Sequence, residues 1–281
     1  MKKIILLTLI AVLYFQLLHS QEVTLRFQPQ KGQTFTYSLL SEGTVTQSAM
    51  GMEQVVSSKT EARYSYFIQN VTPDGNVELI VSVDTVKTKV KTPMPGLDTT
   101  LVLPLGFRFK QILDKYGKSV SFEIIESKEV QLPGGMSRRI DKRNYSHSVV
   151  FPEKSVKVGD LWDFAYTDTT AGDEGKTIVK TSGKYVFNGI EEKNGVKCAK
   201  LNLNANFSLS GQGVIQGMNY GLEGDGKSVG DLWVDLGTGL VVHSETETEM
   251  NMAMGITGQV EMTFPMNQKF KSIISLLGAV K

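Results

Sequence analysis

Between Lys200 and Ser210 the chain alternates without a break. Leu201, Leu203, Ala205, Phe207 and Leu209 are apolar, while Lys200, Asn202, Asn204, Asn206, Ser208 and Ser210 are polar. Successive side chains of a strand point to opposite faces, so this pattern specifies a long strand with one face buried and one in water. The same period recurs in Phe35, Tyr37 and Leu39, and in Ala62, Tyr64, Tyr66 and Ile68. It recurs again in Val77, Leu79, Val81 and Val83. There the apolar set then shifts to Val86 and Val90, which marks a β-bulge near Asp84-Thr85.

The punctuation between these runs is that of tight reversals. Thr72-Pro73-Asp74-Gly75-Asn76 and Glu192-Lys193-Asn194-Gly195 carry turn residues, Asn-Gly being the strongest short hairpin signal. Tyr116-Gly117-Lys118 and Asp235-Leu236-Gly237-Thr238-Gly239 read the same way. Long one-sided strands joined by short turns make an antiparallel meander.

A weak internal repeat divides the meander. Lys31-Gly32-Gln33-Thr34-Phe35-Thr36-Tyr37 resembles Val158-Gly159-Asp160-Leu161-Trp162-Asp163-Phe164. The hairpin turns at Gly75 and Gly195 follow in matching order. The expected fold is mainly β: two related antiparallel meander halves forming a curved, open or partly closed barrel-like sheet, with a short helix or linker between them. The halves are 21–125 and 158–266, the linker is 126–157, and 267–281 reads as a C-terminal tail. The linker holds Leu132-Pro133-Gly134-Gly135, a short helix expected after Gly135, and the basic residues Arg138, Arg139, Lys142 and Arg143. Those four read as a solvated face.

The first twenty residues set the compartment. Lys2-Lys3, the apolar run Ile4 to Leu18 and His19-Ser20-Gln21 form the basic, apolar and polar regions of a secretory signal peptide cleaved near Ser20. The run is shorter than the roughly twenty residues of a spanning helix. No cysteine follows it for lipid attachment, so the mature chain is expected to be secreted or periplasmic, without an integral membrane segment. The chain carries 30 Lys and Arg against 29 Asp and Glu, and loss of Lys2 and Lys3 leaves it close to neutral. Nothing in that balance attracts nucleic acid. Cys198 is the single cysteine, which rules out an intrachain disulfide and reads as a small buried hydrophobe.

Catalytic signatures are lacking. His147 and His243 are the histidines left after the leader, in no metal-binding spacing. His243 shares a strand face with Glu245, Glu247 and Glu249. No Gly-x-Ser-x-Gly elbow occurs, and Ser210-Gly211-Gln212-Gly213 lacks the helix a phosphate loop needs. No metal or cofactor is expected. Met250, Met252 and Met254 fall on one strand face, continued by Ile256, with Met262 and Met266 close by and Met50 and Met52 in the first half. Thioethers can ligate Cu(I), but no His or Cys stands near them in sequence. They read either as core packing or as an adaptable apolar groove.

Phe151-Pro152-Glu153-Lys154-Ser155-Val156-Lys157-Val158-Gly159-Asp160-Leu161-Trp162 resembles a motif of secreted bacterial all-β proteins described as a domain of unknown function. Tyr185-Val186-Phe187-Asn188-Gly189 and Gly230-Asp231-Leu232-Trp233-Val234-Asp235 add to the resemblance. It implies an all-β fold and no catalytic residue. At the level of fold alone, the meander is similar to half-barrel lipoprotein carriers, which bind acyl chains on a concave face.

The sequence therefore points to a non-enzymatic binding protein for an apolar small molecule or lipid, with Phe207, Leu209, Met250, Met252 and Met254 lining a concave face. Two alternatives stand behind it. One is a structural or protein-interaction component of the cell envelope. The other is a hydrolase with an unmarked site.

Overall fold

The computed structural model describes residues 22–49, 52–93, 98–126, 129–131, 137–139, 149–172, 175–215, 217–258 and 261–280. The expected leader, His147, Met50, Lys142 and Arg143 lie outside them. The strands are β1 (Thr34–Ala49), β2 (Met52–Val71), β3 (Val77–Lys91), β4 (Thr99–Leu113) and β5 (Ser119–Glu126). The short β6 (Glu129–Gln131) and β7 (Ser137–Arg139) pair only with each other. Then come β8 (Leu161–Gly172), β9 (Gly175–Lys193), β10 (Val196–Ile215), β11 (Met218–Asp235), β12 (Val241–Thr257) and β13 (Met262–Val280).

Eleven strands form one antiparallel sheet in the order β5-β4-β3-β2-β1-β13-β12-β11-β10-β9-β8. Each half is a meander, and β13 joins them by pairing with β12 on one side and β1 on the other. One expectation is corrected here. The stretch read as a tail from residue 267 is strand through Val280. Within the expected helix or linker, Ser137–Arg139 form β7 and pair with Glu129–Gln131, while residues 132–136 and 140–148 lie outside the described ones.

Local chemistry explains the rest of the outline. The register slips between Arg63 and Tyr64, leaving Asp84 as the bulge residue that returns Val86 to the buried face. Asn194 and Gly195 both adopt positive φ, 54° and 77°, which is the two-residue turn whose twist matches the flanking strands. The two halves open alike. Gly32 N–H donates to Ile68 O and Ile68 N–H to Gln33 O; Gly159 N–H donates to Phe187 O and Phe187 N–H to Asp160 O. In both openings a side-chain oxygen, from Gln33 or Asp160, accepts the N–H three residues earlier.

One hydrophobic core fills one end of the curved sheet and draws on both halves. Tyr64, Val81, Phe107, Phe187 and Leu201 are among its buried members. Tyr37 and Tyr64 stack there and Tyr66 packs tilted against both, with ring centroids 5.0 to 5.6 Å apart. Two irregular segments, 22–33 and 149–160, cap this end. Leu25, Phe27, Val149, Phe151 and Val156 are buried against the core. Val23 and Val156 exchange backbone hydrogen bonds of 2.9 and 2.8 Å, and the Arg26 guanidinium donates to Pro152 O and Glu153 O. Trp162 Nε1 donates to Val150 O at 2.7 Å.

The caps are tied to the hairpin ends by backbone. Phe27 N–H donates to Lys115 O, Phe151 N–H to Tyr116 O and Gln28 N–H to Thr238 O. Gly239, at φ 75°, approaches so closely that an added Cβ would lie 2.1 Å from Arg26 O. Gly239→Ala is therefore expected to lift residues 22–28 and to cost more than about 1 kcal/mol. Urea unfolding reads the cost, and faster hydrogen exchange at the Phe27 and Gln28 amides reads the lifting.

Candidate functional site

The five residues singled out in the sequence share one face of the sheet. In the register of β10, β11 and β12, Gly226 lies between Phe207 and Met250, Gly224 between Leu209 and Met252, and Leu222 beside Met254. All five predicted residues thus share the face that carries the core lower on the same strands. The glycines make room: a Cβ on Gly226 would come 2.5 Å from Phe207 Cζ, and one on Gly224 2.8 Å from Met252 Cβ. Strands β13 and β1 extend the patch. Met252 faces Met266, and Met250 faces Gln268, which faces Val45.

Along β10 exposure alternates from Leu203 to Val214. Phe207, Leu209, Met250, Met252 and Met254 are half-buried, whereas Asn206, Ser208, Glu249 and Asn251 on the other face are exposed. A flat sheet would expose both faces equally at its tips. The curl shields the inner one without filling it. The depression of about 550 Å³ at this level lies mostly toward the other face: Ser210, Glu223, Asp225, Asn251 and Ala253 line it along with Leu209, Gly224 and Met252.

A band of hydroxyls separates the filled core from the apolar lining above it. Ser41 and Ser272 are 3.0 Å apart across β1 and β13, and Thr60 and Thr88 are 3.0 Å apart across β2 and β3. Thr248 donates to Ser228 at 3.0 Å across β12 and β11. Register places these residues on the inner face with Leu39 and Ile274 below and Val45 and Met250 above. Satisfied in pairs, they can sit inside without the cost of a buried unpartnered group.

The ion pairs at this level lie on the outer face. Lys59 meets Glu42 at 2.8 Å, Lys269 meets Glu249 at 3.3 Å, and Lys227 meets Glu249 at 3.8 Å. Along β12 the outer positions are His243, Glu245, Glu247, Glu249 and Asn251. A bilayer core accepts an apolar outward band and rejects such a row. No helix among the described residues is long and apolar enough to cross a membrane.

The outer face holds a cluster that sequence reasoning missed. Trp233 Nε1 donates to Glu191 Oε2 at 2.9 Å, and the Lys193 and Lys200 ammonium groups stand 4.1 and 5.2 Å from its ring centroid. The His243 ring is 5.4 Å away, with Nδ1 2.9 Å from Ser275 Oγ and Nε2 3.1 Å from Glu245 Oε1. Cys198 and Val242 pack with Trp233, and burial pushes the Cys198 thiol up to about 11, away from reactive thiolate. Only a tryptophan at a polar-face position hinted at this cluster. Among the described residues no group of His, Cys, Asp and Glu is arranged to hold a metal ion.

Hydrogen bonding from Trp233, then the Lys200 charge, holds the Glu191 carboxyl below the usual carboxylate range. Folding therefore favours the ionised form, and this contribution, present above that range, is lost as the pH falls through the lowered value. The Trp233 indole N–H resonance is expected to shift only at pH below the usual carboxylate range, and to stay fixed in Glu191→Gln. A wild-type resonance that does not move before acid unfolding would count against the bond.

A second concavity, about 930 Å³, lies on the outer face between Asp163, Lys184, Asn202, Asn204, Asn206 and Asp231. Asn188 donates to Asn202, which donates to Asp231, and Lys184 lies 3.7 Å from Asp163. These groups already satisfy one another as a surface ladder. The inner lining, apolar and half-buried, is the stronger candidate for a site.

No family model matches the chain, and no curated protein does. Solved structures match at low identity. An outer membrane channel from Pseudomonas putida F1 is 9% identical, with a TM-score of 0.30 over 89% of this chain and 98% of that one. Pseudomonas aeruginosa OccK2 (OpdF) is 6% identical, with a TM-score of 0.26 over 88% of this chain and 100% of that one. Pseudomonas aeruginosa OccK7 (OpdD) is 7% identical, with a TM-score of 0.25 over 88% of this chain and 100% of that one. These are not the lipoprotein carriers expected from the meander, and at such scores the likeness carries no argument about function.

Proposed function

We propose that the chain is an exported, non-enzymatic binding protein that holds an apolar or lipid-like molecule on the inner face of its curved sheet. The observation that carries this reading is the half-buried apolar band of Phe207, Leu209, Met250, Met252 and Met254 above the hydroxyl pairs. Fully burying such a side chain is worth about 1.5–3 kcal/mol, so a molecule that completes their burial is bound by the same force that fills the core. Met adds adaptability, since its unbranched chain conforms to irregular partners. The charged outer face keeps the protein in water while the inner face receives the ligand.

Native mass spectrometry of the purified protein tests this. A co-purifying apolar molecule is expected. After its extraction, the neutral dye N-phenyl-1-naphthylamine should bind with enhanced fluorescence. A protein that carries no such molecule and leaves the dye dark would end the reading.

One observation favours a second reading, an envelope interaction component. β5 ends the sheet, and its Val120, Ile124 and Ile125 are 58%, 45% and 48% exposed. An apolar edge strand is a template for a partner strand. Stable association of the purified protein with another envelope protein, lost in Ile124→Lys, would support it.

A further inference from the structure

We infer that the molecule held on the inner face is electrically neutral: a long apolar body carrying a hydroxyl, ester or carbonyl group, such as an acylglycerol or fatty alcohol, and not an ionised fatty acid. This rests on the binding reading above and names its ligand class.

The placement of charge carries the inference. From the hydroxyl pairs to the strand tips, no Lys or Arg of the described strands occupies an inner-face position. The lysines at this level, among them Lys180, Lys227 and Lys269, are on the outer face, the last two beside Glu249. Asp168 of edge strand β8 does fall on the inner face, opposite Val179, and an acid repels a carboxylate. A carboxylate drawn into this lining would lose water with no counter-charge to replace it. A hydroxyl or ester needs only a hydrogen bond.

The lining offers such bonds. In each Ser/Thr pair one hydroxyl donates to the other, and the acceptor's own proton is left for a third oxygen. Gln268 gives its Nε2 donor to the Met252 sulfur at 3.0 Å, a weak acceptor that a ligand oxygen outcompetes. The polar groups at the foot of the apolar lining are therefore neutral donors and acceptors, and they select a neutral head.

Displacement of N-phenyl-1-naphthylamine from the full chain distinguishes the classes. The competitors are 1-monooleoylglycerol and oleate, which share one acyl chain, at pH 8 and below their aggregation concentrations. Monooleoylglycerol is expected to displace the dye at a concentration at least about tenfold lower than oleate. Equal or better displacement by oleate overturns the neutral-ligand inference and leaves the site standing. A dye that never binds overturns the site itself. Gln268→Lys supplies the missing cation beside Met250 and Val45. It should strengthen oleate at least about tenfold relative to monooleoylglycerol. A variant that still binds dye but gains nothing for oleate also overturns the inference.

Discussion

Met252→Glu is expected to lower the affinity for an apolar dye by at least about tenfold while the fold survives. Met252 lies mid-patch, between Gly224 on β11 and Met266 on β13, with Gln268 Nε2 on its sulfur. It is half-buried, so in the empty protein a carboxylate there keeps part of its hydration and does not unfold the chain. A bound apolar molecule would strip that hydration, and the cost falls on the complex. Dye titration alongside a thermal melt separates the two effects. Unchanged dye binding with a glutamate at 252 would place the ligand elsewhere. A collapse of the melt would instead assign Met252 to core packing. Met252→Leu, which keeps volume and polarity, is the control and should bind within about threefold of the parent.

Phe187→Ala is expected to cost about 3–5 kcal/mol in urea unfolding, the largest stability loss of any change considered. Phe187 is 0% exposed in the main core, opposite Leu201. Its backbone also exchanges hydrogen bonds with the 159–160 corner that opens β8. The side chain therefore leaves a cavity at the point where a cap meets the sheet. Phe67, 43% exposed on β2, is the contrast: its replacement by Ala should fall within about 0.5 kcal/mol. Comparable losses at both positions would contradict a core confined to one face.

The strands were legible because period two is a local property. Leu201 to Leu209, Val77 to Val83, the bulge at Asp84 and the Asn194-Gly195 turn all follow from residues within a few positions of one another. The likeness of the Gly32 and Gly159 corners supports reading the halves as related. β13 was missed for a physical reason. Its inner positions include Gln268 and Ser272, polar residues that interrupt the apolar alternation and make the strand look like a tail. Their reason for being inside, the hydroxyl band and the amide beside Met252, exists only once β1 and β12 flank them. The Trp233 cluster was hidden likewise, since Glu191, Trp233 and His243 come from three strands.

By itself the sequence determined that the chain is β, where its strands turn, which face of each strand is apolar, and that Phe207, Leu209 and the three methionines share a kind of face. Tertiary structure alone decided that one core fills one end, that β13 closes residues 34–49 onto residues 241–257, and that the apolar faces above the hydroxyl pairs remain half-buried rather than filled. The reason is range. Alternation and turn chemistry act over two to five residues, whereas curvature, closure and the boundary between filled and open interior are set by pairings more than two hundred residues apart, such as Leu39 with Ile274.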